Sequence, residues 1–450
     1  MIKYIEHKNA SYSYFEKKII DENGLVVTRT VHMPLYQKEK DNFLYFVLYN
    51  DSGEVVHDFY SYVNHTMKNQ ATNSRIKAAK SLRLLYCFLS LSNYDIRNID
   101  SKAFGELLVF LRGLGVTNSE DELSTLRCAN TVNGYLSVYR SYFNSRNIKC
   151  APLFSSTTVQ AVSPVSDSQV SRSVYKNNLR TSHVNDNLAP KYISPDEFRR
   201  IYKLMIDRGD QTAQLIVHLM YGYGLRLGEV LGITMEDIQE IRENNALVPV
   251  VMIRNRVSDE IYQSAKNLMH VTNSAQYRLK DYQSSKHKII ITYDLYEKLI
   301  SYIEEYHSYF IEKYPDNYSK TKADIVSLRN APESNHYVFL NKNGKILSNQ
   351  TWGRHLKHYF ELANIPTDKD VRDANLSHRF RHGFAMFHAR FSDHPVDALV
   401  LQKMMRHRNL SSTMVYYNPT AADEFEIKTA FQEDLYAILP ELRGGFINGS

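Results

Sequence analysis

Cysteine is nearly absent from this sequence: Cys87, Cys128 and Cys150 are the only three in 450 residues. An odd number with no metal-type spacing excludes a disulfide framework or a thiolate zinc module and points to reduced, inert thiols. Long apolar runs are missing as well. No stretch approaches eighteen consecutive apolar residues, so no membrane-spanning helix is expected, and MIKYIEHKNASYSYF is too polar for a signal peptide. A cytoplasmic protein is the expectation. Neither sign of charge dominates: the formal net charge is +6 and the pI about 8.8, compatible with a nucleic-acid partner but not demanding one.

What is present is an ordinary globular composition, 43% hydrophobic and 23% charged, on a chain too long for one core. Residues 1–62 alternate apolar and polar positions in LVVTRTVHM and NFLYFVLYN, broken by turn signals at DENG and NDSG, so a small β-rich module is expected, its role unreadable. Residues 63–150 turn helical. Ile76, Ala79, Leu82, Leu85 and Leu89 recur at spacings of three and four, as do Val132, Leu136, Tyr139 and Phe143. A further helix between them would start at Ser101 as N-cap and stop at Gly115. Residues 151–190 lose all periodicity and read as a Ser/Thr-rich linker. Order returns at Ser194-Pro195, a cap and first helical position, and residues 191–450 read as one largely helical domain with strands in LVPVVMIRNRV and HKIIITYDL. The fold class is mainly α (α+β).

Four places in the last domain can carry chemistry. In QTAQLIVHLMYGYGLRLGEVLGI a glycine-containing break sets Arg226 between two helices, with Glu229 three residues on to pin it; alone this is an ordinary Arg–Glu pair. LSHRFRHGFAMF puts His378 and Arg381 on one helical face after Ser377 as N-cap, a ready phosphate site. The rival there is metal binding through His378 and His382, but a zinc-protease pattern needs Glu at 379, which is Arg. LQKMMRHRNLSSTMVYYNP ends one helix at His407 and places Tyr416 nine residues later, inside a second helix capped by Ser411 or Ser412; among 33 tyrosines a lone one would be packing. Finally, RLKDYQSSKHKIIITYDL reads as a hairpin whose tip is flanked by Lys280 and Lys286, by themselves solvated lysines.

Read in order, Arg226, a hairpin lysine, His378-x-x-Arg381, His407 and Tyr416 resemble the signature of the tyrosine recombinase (phage integrase) family. GLRLGEVLGI, HRFRHGFA and MRHRNLSSTMVYY carry the resemblance, which covers about 190–435. It extends less specifically to TVNGYLSVYRSYFN, similar to the end of that family's helical core-binding (DNA-clamp) domain. The interval from Arg226 to His378 is longer than usual, with an apparent insertion around 300–335. Lys280 is preferred as the family's lysine, with Lys286 as runner-up; Tyr417 is the second candidate nucleophile.

The resemblance implies a site-specific recombinase or integrase, or a transposase of a mobile element, that cleaves and rejoins DNA through a 3′-phosphotyrosine. Arg226 and Arg381 would grip the phosphate oxygens bidentately, His407 would donate to them, and Tyr416 would attack. The positive field would favour its phenolate, with His378 as proton acceptor or orienting group and Lys280 as general acid to the 5′-oxygen. No cofactor or metal is implied, and the partners would be double-stranded DNA at specific sites and a homo-tetramer on paired sites. The apolar positions Phe425, Ile427, Ala430, Leu435 and Ile438 would form a tail helix that docks on a neighbour in trans or packs on its own domain. A type IB topoisomerase-like enzyme, a non-catalytic DNA-binding protein on this fold and a metal-dependent nuclease are the alternatives.

Overall fold

The alternating N-terminal runs form five strands, β1 (Ile2–Lys8), β2 (Ser13–Ile20), β3 (Val26–Val31), β4 (Leu35–Lys40) and β5 (Phe43–Leu48). The computed structural model describes residues 2–8, 13–20, 26–40, 43–113, 127–162, 169–179, 190–326, 334–367 and 376–418, with Phe425, Lys428, Thr429, Gln432 and Glu433 beyond. β1, β2 and β3 make an antiparallel sheet in that order, and β4 pairs with β5. Four helices follow: α1 (His57–Ser61), α2 (Thr72–Ser92), α3 (Ser101–Arg112) and α4 (Ala129–Ser145). Ala79, Leu82, Leu85 and Leu89 of α2 are buried, as are Val132, Leu136, Tyr139 and Phe143 of α4; Ile76 is partly so.

These helical positions share one core with Phe15, Phe46 and Leu48 from the strands, so the expected boundary at residue 62 separates no two cores. A sheet and hairpin of that size bury too little apolar surface to stand alone. Polar ties cross the same boundary. The Arg83 guanidinium of α2 donates to the carbonyls of Met33 at 2.6 Å and Ser13 at 2.7 Å. The side chain of Asp100, not Ser101, caps α3 by accepting from the Ala103 N–H at 2.7 Å. That helix ends at Gly113, and the expected stop at Gly115 lies outside the described residues.

The expected linker is also corrected. Its first part folds into α5 (Ala151–Phe154) and a hairpin of β6 (Ser156–Val162) and β7 (Gln169–Tyr175), with Ser156 opposite Tyr175. The Arg140 guanidinium of α4 lies 3.7 Å from the centre of the Tyr175 ring and holds the hairpin's base. Ser156, Thr157 and Thr158, like Ser173, Val174 and Tyr175, are exposed. Consecutive exposed positions leave this hairpin no apolar alternation for the sequence to display.

The chain divides into two units, Met1–Ser182 and His183–Ser450. The second begins at α6 (Pro195–Asp207), where Ser194 and Glu197 form a reciprocal cap before Pro195. There follow α7 (Gln211–Gly222), α8 (Leu227–Leu231), β8 (Ile238–Glu243), β9 (Ala246–Ile253), α9 (Lys280–Ser285), β10 (His287–Ile290), α10 (Tyr293–Tyr302), α11 (Ser308–Lys313), α12 (Pro315–Tyr318), α13 (Asn349–Leu362), α14 (Leu376–Met386), α15 (Ala398–Met405) and α16 (Ser411–Met414). The three strands form an antiparallel sheet in the order β10-β9-β8. Ile216, Leu219, Met220, Trp352, Leu356, Phe360 and Phe380 lie in the core on which α7, α13 and α14 meet. No helix among the described residues is long and apolar enough to cross a membrane. The tail positions Ile427, Ala430, Leu435 and Ile438 lie outside the described residues, and Phe425 is 72% exposed.

Candidate active site

Arg226 stands at the break the glycines predict. Gly224 there has φ +62, and a Cβ on it would come within 2.7 Å of the Phe384 ring, so only glycine lets α7 turn against α14. Glu229, in α8 and 3% exposed, accepts from the Arg226 backbone N–H and from its guanidinium, both at 2.8 Å. Two more arginines close on the same carboxylate. Arg406 donates to it at 2.7 Å and Arg381 lies 3.9 Å away. Arg381 is itself 2% exposed, and its guanidinium donates to the carbonyls of Gly224 and Met405. Burial alone would raise the Glu229 carboxyl; Arg406, Arg381 and Arg226 outweigh it and hold it at about 2. Three guanidiniums against one carboxylate leave a surplus of positive charge, and Arg226 keeps 15% of its side chain open to solvent. That is an anion site.

Beside the arginines sits a cluster of rings. Tyr416, 2% exposed, is bonded through its hydroxyl to Nδ1 of His382 at 2.8 Å. The His407 ring lies nearly parallel to Tyr416, 6.3 Å between centroids at 14°, and its Nδ1 meets the Thr413 hydroxyl at 3.0 Å. His378 packs edge-on against His382 with centroids 5.2 Å apart. Burial and the charges of Arg381 and Arg226 push the His407 imidazole down to about 4. His378 is exposed as a residue, but desolvation of its imidazole, together with Arg381, Lys266 and Arg226, also holds it at about 4. Both histidines are therefore neutral at physiological pH.

Five of the six expected residues thus converge: Arg226, His378, Arg381, His407 and Tyr416. Lys280 does not. The segment expected as a hairpin tip is α9, wound into helix because Tyr282 buries its ring and donates to the Asn255 carbonyl at 2.7 Å. Lys280 opens that helix and Lys286 follows it, both exposed, and among the described residues neither is seen against the arginines or Tyr416. Lys266 is the lysine whose charge acts on His378. Its loop is clamped to α8 by Gln263, which donates to the Leu231 carbonyl at 2.7 Å, and to β9 by Asn255, which bonds both backbone groups of Ala265.

Three other expectations change. Ser377 is no N-cap: it lies within α14 and its hydroxyl accepts from the Trp352 indole at 2.9 Å. Tyr416 lies in the turn after α16 rather than inside a helix, and no side chain caps α16. Burial pushes its phenol up to about 12, with Arg381 and Arg226 only partly offsetting it, so the expected preference for phenolate is reversed in the free protein. Tyr417, the second candidate, spends its hydroxyl on the Val396 carbonyl at 2.5 Å. Arg390 steadies the whole turn by donating to the carbonyls of Tyr416 and Asn418.

The comparisons with known proteins fall on the same region. The phage integrase family profile matches residues 191–423. The chain belongs to the phage integrase family. It is thereby a site-specific tyrosine recombinase, an enzyme of DNA strand transfer. No curated protein matches the sequence. Among solved structures it is similar to XerH site-specific recombinase in a pre-cleavage complex with difH, at 14% identity over 77% of each chain and a TM-score of 0.45. It is also similar to the Tn1549 transposon integrase with circular intermediate DNA, at 16% identity over 83% of this chain and 98% of that one, TM-score 0.47. XerA recombinase is a third, at 14% identity, 83% and 98% coverage and a TM-score of 0.34.

Sequence reading did not place Arg406, Lys266 or His287 beside this cluster, nor His382 against Tyr416. His287 opens β10, and burial with the charges of Arg406 and Arg226 lowers its imidazole. His382 had one signal, its place four residues after His378, which suggested only a metal pair. Arg406 had none: it takes the left-handed conformation, φ +53, that sequence assigns to glycine or asparagine.

Proposed function

We propose that this integrase cuts and rejoins double-stranded DNA at specific sites through a 3′-phosphotyrosine on Tyr416, as a homo-tetramer on paired sites. The observation that carries the reading is a buried phenol between two neutral histidines, beside three arginines with one carboxylate to balance them. Arg226 and Arg381 hold the non-bridging oxygens of the scissile phosphate, and His407 donates to them. Tyr416 attacks phosphorus and the 5′-oxygen leaves with a proton from Lys266, which takes the general-acid role expected of Lys280. Because the bond energy is kept in the phosphotyrosine, rejoining calls for neither ATP nor a metal.

The test is a nicked, labelled duplex from the DNA flanking the protein's own gene, analysed on denaturing gels in EDTA. Wild type and Tyr417→Phe are expected to give a covalent adduct, and Tyr416→Phe none. Lys266→Ala should slow adduct formation about a hundredfold or more and regain it on a 5′-bridging phosphorothiolate, whose leaving group needs no proton; Lys280→Ala should do neither. Tight binding to this DNA without any adduct would favour a non-catalytic DNA-binding protein.

A further inference from the structure

We infer that His382, one position after the phosphate-gripping Arg381, is the catalytic base that takes the Tyr416 proton on cleavage and returns it on rejoining. The inference rests on Tyr416 being the nucleophile. It assigns to His382 the role expected of His378, which among the described contacts touches His382 rather than the phenol.

The geometry is specific. Nδ1 of His382 is 2.8 Å from the Tyr416 hydroxyl, within the range for direct proton transfer, and in the Nε2–H tautomer it accepts the phenolic proton. The ring cannot drift, because its helix is wedged at the next residue. A Cβ at Gly383 would fall 2.6 Å from the Ile193 carbonyl and 2.5 Å from the Tyr221 ring, and the Ile193 N–H donates to the Arg379 carbonyl of α14 at 3.1 Å. The phenol is fixed from the other side by the Arg390 clasp on its own carbonyl at 3.1 Å. Base and nucleophile are thus held at two points of one helical run, Gly383 and Arg390, and meet through one hydrogen bond.

The step balances. The Tyr416 Oη–P bond forms as the P–O5′ bond breaks; the phenolic proton passes to His382 Nδ1, and a proton from Lys266 Nζ reaches O5′. Rejoining reverses both transfers. The charged and titratable groups around His382 are His378 and Arg381 from its own helix, His407 from the turn after α15, and Tyr416. Burial, with His378, Arg381 and His407, pushes the imidazole down to about 3 in the free protein, so it waits unprotonated. A phosphate dianion-like transition state between the arginines cancels their field and strengthens the base when it is needed.

His382→Asn places an amide oxygen near the position of Nδ1: it keeps the hydrogen bond to Tyr416 but cannot take a proton. On the same nicked duplex it is expected to form adduct about a hundred to a thousandfold more slowly than wild type, with unchanged duplex affinity. Phosphorothiolate should not restore it, in contrast to Lys266→Ala. In His382→Ala, imidazole in the buffer should restore adduct formation with a rate that follows the neutral imidazole fraction. A His382→Asn rate within threefold of wild type overturns the assignment. So does a slowed His382→Ala enzyme, still binding the duplex, that imidazole leaves unaltered. Absence of adduct from wild type itself overturns the recombinase reading, a different result from a wild-type adduct with an unimpaired His382→Asn.

Discussion

The catalytic unit holds two buried clusters of arginine and carboxylate, and they differ in one respect. Around Glu229 stand Arg226, Arg381 and Arg406, three cations to one anion. At the end of β9, Arg254 and Arg256 meet Glu236 and Asp237 at 2.7–3.2 Å, two against two, with all four side chains 5% exposed or less. The balanced set ties β9 to the turn before β8 and, through the Arg256 Nε–H bond to the Asp324 carbonyl, to the insertion. It has no charge left for a ligand. The unbalanced set is poorly neutralised and open at Arg226, which costs stability unless an anion arrives. Surplus charge, rather than burial or bond count, separates the two clusters.

The largest effect should come from breaking the balanced cluster. Arg256→Met leaves two carboxylates facing one guanidinium and is expected to cost about 3–5 kcal/mol in urea unfolding, with adduct formation per folded molecule unchanged. A loss under about 1 kcal/mol would remove the contrast. Next comes Glu229→Gln, which strips the only anion from the unbalanced set. The Glu229 carboxyl is lowered from 4.5 to about 2 on folding, so its contribution is fully present above pH 4.5 and is lost as pH falls through about 2. The variant should be less stable by on the order of 3 kcal/mol at neutral pH, and the gap should close between pH 4.5 and 2. A gap independent of pH would mean that the carboxylate's charge is not what matters. The smallest change in stability is expected for Arg406→Gly. Relief of left-handed strain, about 1 kcal/mol, offsets the lost bridge to Glu229, so the melting temperature should hardly move. Adduct formation should still fall roughly tenfold, because a third of the local positive charge is gone. Equal losses of stability and rate would place Arg406 with the structural arginines instead.

Much of this was legible in the sequence because it rests on local rules. The break before Arg226, its tie to Glu229, the capping of α6 and the buried faces of α2 and α4 each depend on spacings of three or four residues. His378, Arg381, His407 and Tyr416 were legible through order and interval, which a family resemblance supplies. Long-range packing erased the rest. Nothing local says that Tyr282 buries itself and turns a hairpin tip into α9, or that the loop clamped by Gln263 holds the lysine, Lys266, whose charge acts on His378. Nothing local says that Arg406 adopts a left-handed backbone or that Tyr416 reaches His382, because both follow from how α14 and α15 dock. The β6–β7 hairpin hid for the opposite reason: at Ser156–Thr158 and Ser173–Tyr175 consecutive exposed positions leave no apolar alternation to read.

The Arg390 clasp has a mechanical consequence. In the proposed reaction a DNA strand esterified to Tyr416 would hang from a stretch whose carbonyls are riveted to the turn Phe387–Phe391 that continues α14. Tension along that strand would then be borne by the helix that also carries Arg381. A cut end that swings toward a new partner pulls on the very strut that must stay still for the joint to be sealed again.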